Sequence, residues 1–200
     1  VHPVTAEVSV ALSRDSQGVC AVASADAVSR ELPEPSVGET LVVLAQGRDP
    51  GNVGTIIRTA DAFGAVGVIT VSGTVEATSP KVVRASAGSV FHIPVCIVPS
   101  FEEAHALIHR RSAALLGTSG GAGSLDLSQM LAQGVSGRSR LSQSHAWVFG
   151  NEAKGLSGAE MRLCDALVSI PMTGDAESLN VASAATACLF ASQTVRGMAL

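Results

Sequence analysis

The sequence predicts an α/β domain with a mostly parallel sheet and helices on both of its faces. Short apolar runs bounded by glycine alternate along the chain with stretches of helical periodicity, as in parallel strands joined by crossover helices. The 200 residues are 46% hydrophobic and 15% charged, so the chain is able to bury a large core. Sheets of this kind bind ligands beyond the carboxyl ends of their strands, and the functional residues are therefore expected there.

The apolar runs and helical patterns place the elements of this domain in order. Strands are predicted at residues 41–45, 66–71, 95–98, 114–117, 146–149 and 167–170. Helices are predicted at about residues 53–63, 79–87, 101–111 and 178–195. Residues 117–144 are rich in Gly, Ser and Gln, which predicts a loop with one or two helical turns near residues 125–131.

The first forty residues differ from the rest in composition and charge. Residues 18–23 form a weak strand pattern, and the acidic, proline-containing residues 29–39 are typical of a linker. Residues 1–47 hold two basic and six acidic side chains, whereas residues 48–200 hold eleven of each. By itself, the net charge of -4 argues against a nucleic-acid partner. Any basic surface must be a local patch, whose candidates are Arg58, Lys81, Arg84, Arg138, Arg140 and Lys154.

Composition also excludes some classes of protein. No apolar run approaches the roughly 18 to 20 residues that span a bilayer, and no basic segment precedes an apolar one at the start, so we expect a cytoplasmic protein without a membrane partner. Cys20, Cys96, Cys164 and Cys188 show no C-x-x-C spacing, which indicates reduced structural thiols and no metal site.

The stretch "DPGNVGTIIRTADAFGA", residues 49–65, follows the first strand of the domain. Ile56 and Ala60 recur at helical spacing and should face the sheet, while Arg58 points away from it. Asn52 is predicted to cap the helix, and Gly64 suits a left-handed residue at its end. Arg58 is then either a solvated surface residue or a ligand for an anion such as an RNA phosphate.

Two later stretches place polar residues and glycines just beyond other strands. "WVFGNEAKGLS" occupies residues 147–157, and "IPMTGDAESLNVASAATA" occupies residues 170–187. The carboxyl ends of parallel strands lie at one edge of a sheet, so the three stretches are predicted to converge on a pocket.

Together the three stretches resemble the signature motifs of the SpoU-type (TrmH-like) RNA 2'-O-ribose methyltransferases of the SPOUT superfamily. "NVGTIIRTADAFGA", "VFGNEAKGLS" and "IPMTGDAESLNVASAATA" occur in the order of the first, second and third motifs, and the resemblance covers roughly residues 41–195. It implies a parallel sheet with a C-terminal deep trefoil knot, S-adenosylmethionine as cofactor, RNA as substrate, and a homodimer whose sites borrow residues from the partner chain.

The resemblance also implies roles for individual residues. The catalytic positions are Arg58, Asn52, Glu152, Ser178 and Asn180. The positions expected to contact the cofactor are Thr118, Ser119, Gly120, Gly150, Ile170, Met172 and Leu179. Asn52, Glu152, Ser178 and Asn180 each have a simpler alternative role as the cap of a helix.

The resemblance favours the ribosomal-RNA branch, with 23S ribosomal RNA as substrate. Transfer RNA and a catalytically silent, knotted RNA-binding protein are the alternatives. Residues 1–38 resemble the remnant of an N-terminal RNA substrate-binding domain plus a linker, and residues 39–200 the methyltransferase domain. The chain is thus expected to be a fragment of a longer enzyme. "GTSGGAG" at residues 117–123 lacks the G-x-G-x-x-G spacing, which argues against a nucleotide-dependent oxidoreductase.

Overall fold

A computed structural model describes residues 1–13, 18–121, 123–134 and 137–198. Its centre is a seven-stranded sheet in the order β3-β2-β1-β6-β4-β7-β5, in which every strand pair is parallel. The strands are β1 Thr40–Leu44, β2 Gly67–Val71, β3 Val95–Val98, β4 Ala114–Thr118, β5 Leu125–Asp126, β6 His145–Phe149 and β7 Ala166–Ser169. The predicted parallel sheet is therefore confirmed.

Helices cover both faces of this sheet, as predicted. They are α1 Ala6–Leu12, α2 Pro50–Ala62, α3 Pro80–Ala85, α4 Phe101–Arg110, α5 Leu127–Gly134, α6 Gly158–Leu163 and α7 Val181–Met198. Short 3-10 turns occur at Ala25–Ala27, Ser89–Phe91 and Arg140–Ser142. Alternate residues of β1 enter different cores, because strand side chains point to opposite faces. Val42 packs in the cluster that contains α2, α5 and α7, and Val43 packs in the cluster that contains α4.

Helix α2 begins earlier than predicted, at Pro50, and its N-cap is Asp49. The Asp49 side chain accepts a hydrogen bond from the backbone N–H of Asn52 at 2.8 Å. The prediction that Asn52 caps this helix is therefore wrong, because Asn52 already lies within the first turn. The end of the helix matches the prediction: Gly64 follows Phe63 with a φ of 68°, in the left-handed region.

Helix α7 begins at Val181, three residues later than predicted. The Asn180 Oδ1 atom accepts from the N–H groups of Ala182 at 2.9 Å and Ser183 at 3.4 Å, so Asn180 caps the helix. Ser178 lies outside it, and the alternative of a Ser178 cap is wrong. The next turns of α7 bury small and apolar side chains against α2 and α5.

A polar cluster is buried where α7 crosses β6. The Trp147 indole N–H donates to Ser192 Oγ at 2.8 Å, and His145 Nε2 lies 2.8 Å from the same oxygen. His145 Nδ1 lies 2.7 Å from the Gln143 carbonyl oxygen, which only accepts, so Nδ1 carries the proton and Nε2 accepts from Ser192. Burial lowers the pKa of His145 to about 4, so the ring is neutral at pH 7. His145 is a structural histidine.

Residues 29–39 are docked on the domain by a buried ion pair. The Arg111 Nε and Nη2 atoms donate to Glu39 Oε1 and Oε2 at 2.6 and 2.8 Å, and Nη1 donates to the Pro33 carbonyl at 2.8 Å. The side chains of Arg111 and Glu39 are 6% and 0% exposed. The backbone N–H of Val95 adds a bond to the Ser29 carbonyl at 2.8 Å. The boundary between residues 1–38 and 39–200 stays a prediction.

Several elements differ from the predictions. Residues 18–23 form no strand and are exposed, because no neighbouring strand pairs with them. Helices α1 and α6 were not predicted. The one or two helical turns predicted near residues 125–131 correspond to α5, which begins at Leu127, but the short strand β5 before it was not predicted. Strand β5 exists because it pairs with the edge of β7. Within the described residues, no helix is long and apolar enough to cross a bilayer.

Candidate functional site

The three motif stretches leave the sheet at its carboxyl edge. β1 is adjacent to β6, β6 to β4 and β4 to β7, all in parallel. The segments that follow these strands, residues 45–49, 150–157, 119–121 and 170–180, therefore emerge side by side. This is the edge where open α/β sheets place ligands.

A chain of hydrogen bonds joins all three stretches, and we call it the loop-bridging network. Glu152 Oε1 accepts from the backbone N–H groups of Arg48 and Asp49 at 3.3 and 3.1 Å. Asp49 Oδ1 holds the N–H of Asn52, and Asn52 Oδ1 accepts from Asn180 Nδ2 at 3.1 Å. The structure thus brings Asn52, Glu152 and Asn180 together, as the sequence predicted.

The oxygen and the nitrogen of the Asn180 side-chain amide have different partners. Its oxygen is engaged by the first N–H groups of α7, which leaves the NH₂ group to donate to Asn52. The capping alternative for Asn180 is therefore correct, and it is compatible with a place in the site. Because one side chain performs both tasks, the start of α7 is tied to the first turn of α2.

The second stretch forms a tight turn around Asn151. The backbones of Asn151 and Gly155 exchange hydrogen bonds of 3.0 and 2.8 Å, and Gly155 has a φ of 67°. Helix α6 is capped by Ser157, whose N–H donates in turn to the Glu160 side chain at 2.6 Å. The alternative that Glu152 caps this helix is therefore wrong, and its carboxylate is free to bridge to the first stretch. No hydrogen bond among the described residues uses its Oε2 atom.

Arg58 and Ser178 are not part of the loop-bridging network. Both are exposed, and neither forms a hydrogen bond or ion pair with any described residue. Arg58 lies about 9 Å along the axis of α2 from Asn52, at a rise of about 1.5 Å per residue. It shares an exposed stripe with Gly51 and Thr55. The prediction that Arg58 points away from the sheet is confirmed.

The first three candidate cofactor residues lie at the end of β4. The Thr118 hydroxyl donates to the Val148 carbonyl of β6 at 2.9 Å, and the Ser119 N–H donates to the Val168 carbonyl of β7 at 2.9 Å. These bonds hold the start of the loop rigidly between two neighbouring strands. Gly120 is exposed, with nothing within 4 Å of the place of a Cβ.

The remaining candidate cofactor residues lie on the neighbouring loops. Gly150 is buried, and a Cβ at this position would lie 2.5 Å from the Leu156 nitrogen. Ile170 is half-buried, whereas Met172 and Leu179 are 42% and 44% exposed. Residues 171–179 are all exposed, and none hydrogen-bonds to another described residue. Their polar and apolar groups are available to a ligand or to another chain.

Asp49 is the site residue that the sequence analysis missed. An acidic residue directly before a proline is a recognisable start signal, because Asp favours the N-cap and Pro the first helical position. A cavity of about 1300 Å³ lies elsewhere, between α3 and residues 11–13, 19–25 and 28, and none of the candidate catalytic or cofactor residues lines it. Among the described residues no group of three side chains could hold a metal ion.

Comparison with known proteins settles the family. Residues 39–190 match the SpoU rRNA Methylase family. The chain belongs to this family. It is 42% identical over 146 residues to the 23S rRNA (uridine(2479)-2'-O)-methyltransferase of Streptomyces viridochromogenes, which covers 70% of this chain and 47% of that protein. It is 34% identical over 198 residues to the 23S rRNA (guanosine-2'-O-)-methyltransferase RlmB of Bordetella pertussis, covering 96% and 77%.

Solved structures agree with this assignment. The SpoU methyltransferase AviRb from Streptomyces viridochromogenes, in complex with the cofactor AdoMet, aligns with a TM-score of 0.69 at 38% identity. The alignment covers 81% of this chain and 61% of that one. This chain therefore spans about half of the Streptomyces relative's sequence and about three quarters of the Bordetella one.

Proposed function

We propose that this protein transfers a methyl group from S-adenosylmethionine to a ribose 2'-hydroxyl in RNA, with 23S ribosomal RNA as the substrate. The observation that carries the proposal is the loop-bridging network, which unites Glu152, Asn52 and Asn180 at the edge where the sheet binds ligands. The named relatives that act on 23S rRNA support the choice of substrate.

We assign the cofactor to the three neighbouring loops after β6, β4 and β7. Their residues fit such a group. The backbone groups of Gly120, Pro171 and Met172 bond to no other described residue and suit an adenine and a ribose, and the exposed side chains of Met172 and Leu179 supply apolar surface. Thr118, Ser119, Gly120, Gly150 and Ile170 complete the assigned set. S-adenosylmethionine supplies a methyl group on a positively charged sulfur when it is bound. This chain's contribution is to orient the acceptor and to exclude water.

Arg58 is assigned to the acceptor side of the reaction. A guanidinium is always charged in proteins, so Arg58 suits a phosphate clamp and a stabiliser of the developing alkoxide rather than a general base. Its lack of any partner among the described residues leaves all its donors for RNA. Ser178, Asn180, Asn52 and the second oxygen of Glu152 would orient the neighbouring groups.

We also propose that two copies form the working enzyme. Phe190 of α7 is 52% exposed and packs edge-on against Phe63, with ring centroids 6.0 Å apart. A partly exposed aromatic pair between the end of α2 and α7 supports a contact with a second copy. A deep trefoil knot is proposed as well. The connection from β6 to β7 crosses β4, which lies between these strands in the sheet, and the segment after β7 reaches back to α2 through the bond between Asn180 and Asn52. This path supports a threaded C-terminal segment. We also propose that the protein acts in the cytoplasm, because the proposed substrate is ribosomal RNA.

The Arg58→Ala variant tests the proposed activity. We expect its turnover on 23S rRNA to fall about 100-fold or more, since one donor to a developing oxyanion is worth roughly that factor, while S-adenosylmethionine still binds. Transfer of radiolabelled methyl groups measures turnover, and calorimetry measures cofactor binding. Arg110→Ala is the matched control, because Arg110 is an exposed arginine on α4. Full turnover in Arg58→Ala would contradict the assigned role. Methylation of transfer RNA alone would replace the substrate.

A further inference from the structure

Asp49 is bonded to two of the three motif stretches at once. Its backbone N–H donates to Glu152 Oε1 at 3.1 Å, so it is held by the loop after β6. Its side chain accepts from the Asn52 N–H at 2.8 Å, and its carbonyl accepts from the Val53 N–H at 3.0 Å. It is therefore the residue through which the loop of Glu152 contacts the first turn of α2.

We propose that Asp49 is a positioning residue for the methyl transfer, because it fixes the Asn52 amide relative to Glu152 and Asn180. This inference rests on the proposed function. Asp49 acts through Asn52 and is not assigned a contact with substrate. If the first turn of α2 unwinds, the Asn52 oxygen loses its place beside the Asn180 NH₂ group. The site then loses the link between its first and third stretches.

Ser100 provides a matched test of whether Asp49 is only a helix cap. It caps α4, and its Oγ accepts from the Glu103 N–H at 3.3 Å, in the same geometry as Asp49 and Asn52. Helix α4 packs on the other face of the sheet from α2. Removing either cap should cost a similar amount of stability, but only one of them is bonded to Glu152.

The experiment compares four variants of the full chain: Asp49→Ala, Asp49→Asn, Ser100→Ala and the double variant Asp49→Ala/Asn52→Ala, with Asn52→Ala alone as reference. The measurements are kcat and KM on 23S rRNA, and Tm. We expect Asp49→Ala to lower kcat about 10- to 100-fold with KM unchanged, because a misplacement of about 1 Å can cost that much. Asp49→Asn should restore kcat, since Asn caps helices equally well. Asp49→Ala and Ser100→Ala should both lower Tm by about 2 to 4 °C, with kcat intact in Ser100→Ala.

The double variant shows whether Asp49 acts through Asn52. We expect it to be no slower than Asn52→Ala alone, because the two changes remove one interaction. Wild-type kcat in Asp49→Ala, the same kcat loss in Ser100→Ala, or independent losses in the double variant would overturn the role of Asp49 and leave the proposed function standing. Absence of methyl transfer by the wild-type chain would instead overturn the proposed function, and the role of Asp49 with it.

Discussion

The buried ring of His145 is expected to make the protein lose stability as the pH falls from 6.5 to 4. The folded protein keeps this ring neutral because it is buried beneath α7, where Ser192 donates to Nε2 and Gln143 accepts from Nδ1. Its pKa is about 4 in the folded protein, against an ordinary value of 6.5. The imidazole of His145 therefore binds a proton below pH 6.5 in the unfolded chain, but only below about pH 4 in the folded chain.

The size of the effect follows from that difference in pKa. One pKa unit corresponds to about 1.4 kcal/mol, so the free energy of unfolding should fall by about 3 kcal/mol across this pH range. The stabilisation that comes from keeping His145 neutral is fully present above pH 6.5, decreases between pH 6.5 and 4, and is lost below pH 4. A loss of this size matters, because domains are stable by only about 5 to 15 kcal/mol.

Urea unfolding at several pH values, at one protein concentration, measures this loss. His145→Gln removes the titrating ring, so its free energy of unfolding should depend on pH less steeply than the wild type, by about 3 kcal/mol over the window. His2→Gln is the control, because His2 is an exposed histidine without a buried partner among the described residues. The same pH dependence in His145→Gln and the wild type would refute the reasoning. So would a His145 pKa near 6.5 measured by NMR titration.

Two further predictions concern buried contacts. Glu39→Gln should lower the free energy of unfolding by about 3 to 5 kcal/mol, because it leaves the buried Arg111 guanidinium without its charge partner; urea unfolding measures it. Asp61→Asn, in an exposed pair with His92, should cost less than about 1 kcal/mol, and equal losses would refute the argument. Gly150→Ala should cost about 1 to 3 kcal/mol, because a methyl group there collides with the backbone of the next turn. Thermal unfolding checks this against Gly174→Ala, where the added methyl group meets open space; similar losses would contradict it.

Features that depend on neighbouring residues were predictable from the sequence. The spacing of Ile56 and Ala60 predicted which face of α2 is buried, and both residues are at most 1% exposed. The same periodicity predicted that Arg58 points outward. Local periodicity carries this information because the geometry of a helix or strand fixes which of its own residues share a face.

The meeting of the three motif stretches was also predictable in outline. Parallel strands share one carboxyl edge, so polar residues that follow them must lie near one another. The individual bonds were not predictable. Asn52 and Asn180 are 128 residues apart, and the amide that was expected to cap α2 instead accepts from the amide that caps α7. Which residue caps a helix depends on the path of the chain just before the first turn. Before α2 this path is fixed by Glu152, which accepts from the N–H groups of Arg48 and Asp49.

By itself the sequence determined the α/β class, the order of most strands and helices, and the residues that belong to the motif stretches. Only the tertiary structure decided that residues 18–23 stay outside the sheet, that β5 joins its edge, and that Glu39 pairs with Arg111 across 72 residues. The physical reason is that strand edges and buried charges are stable only when a partner is present. The partner's position is set by the packing of the whole domain and not by neighbouring residues.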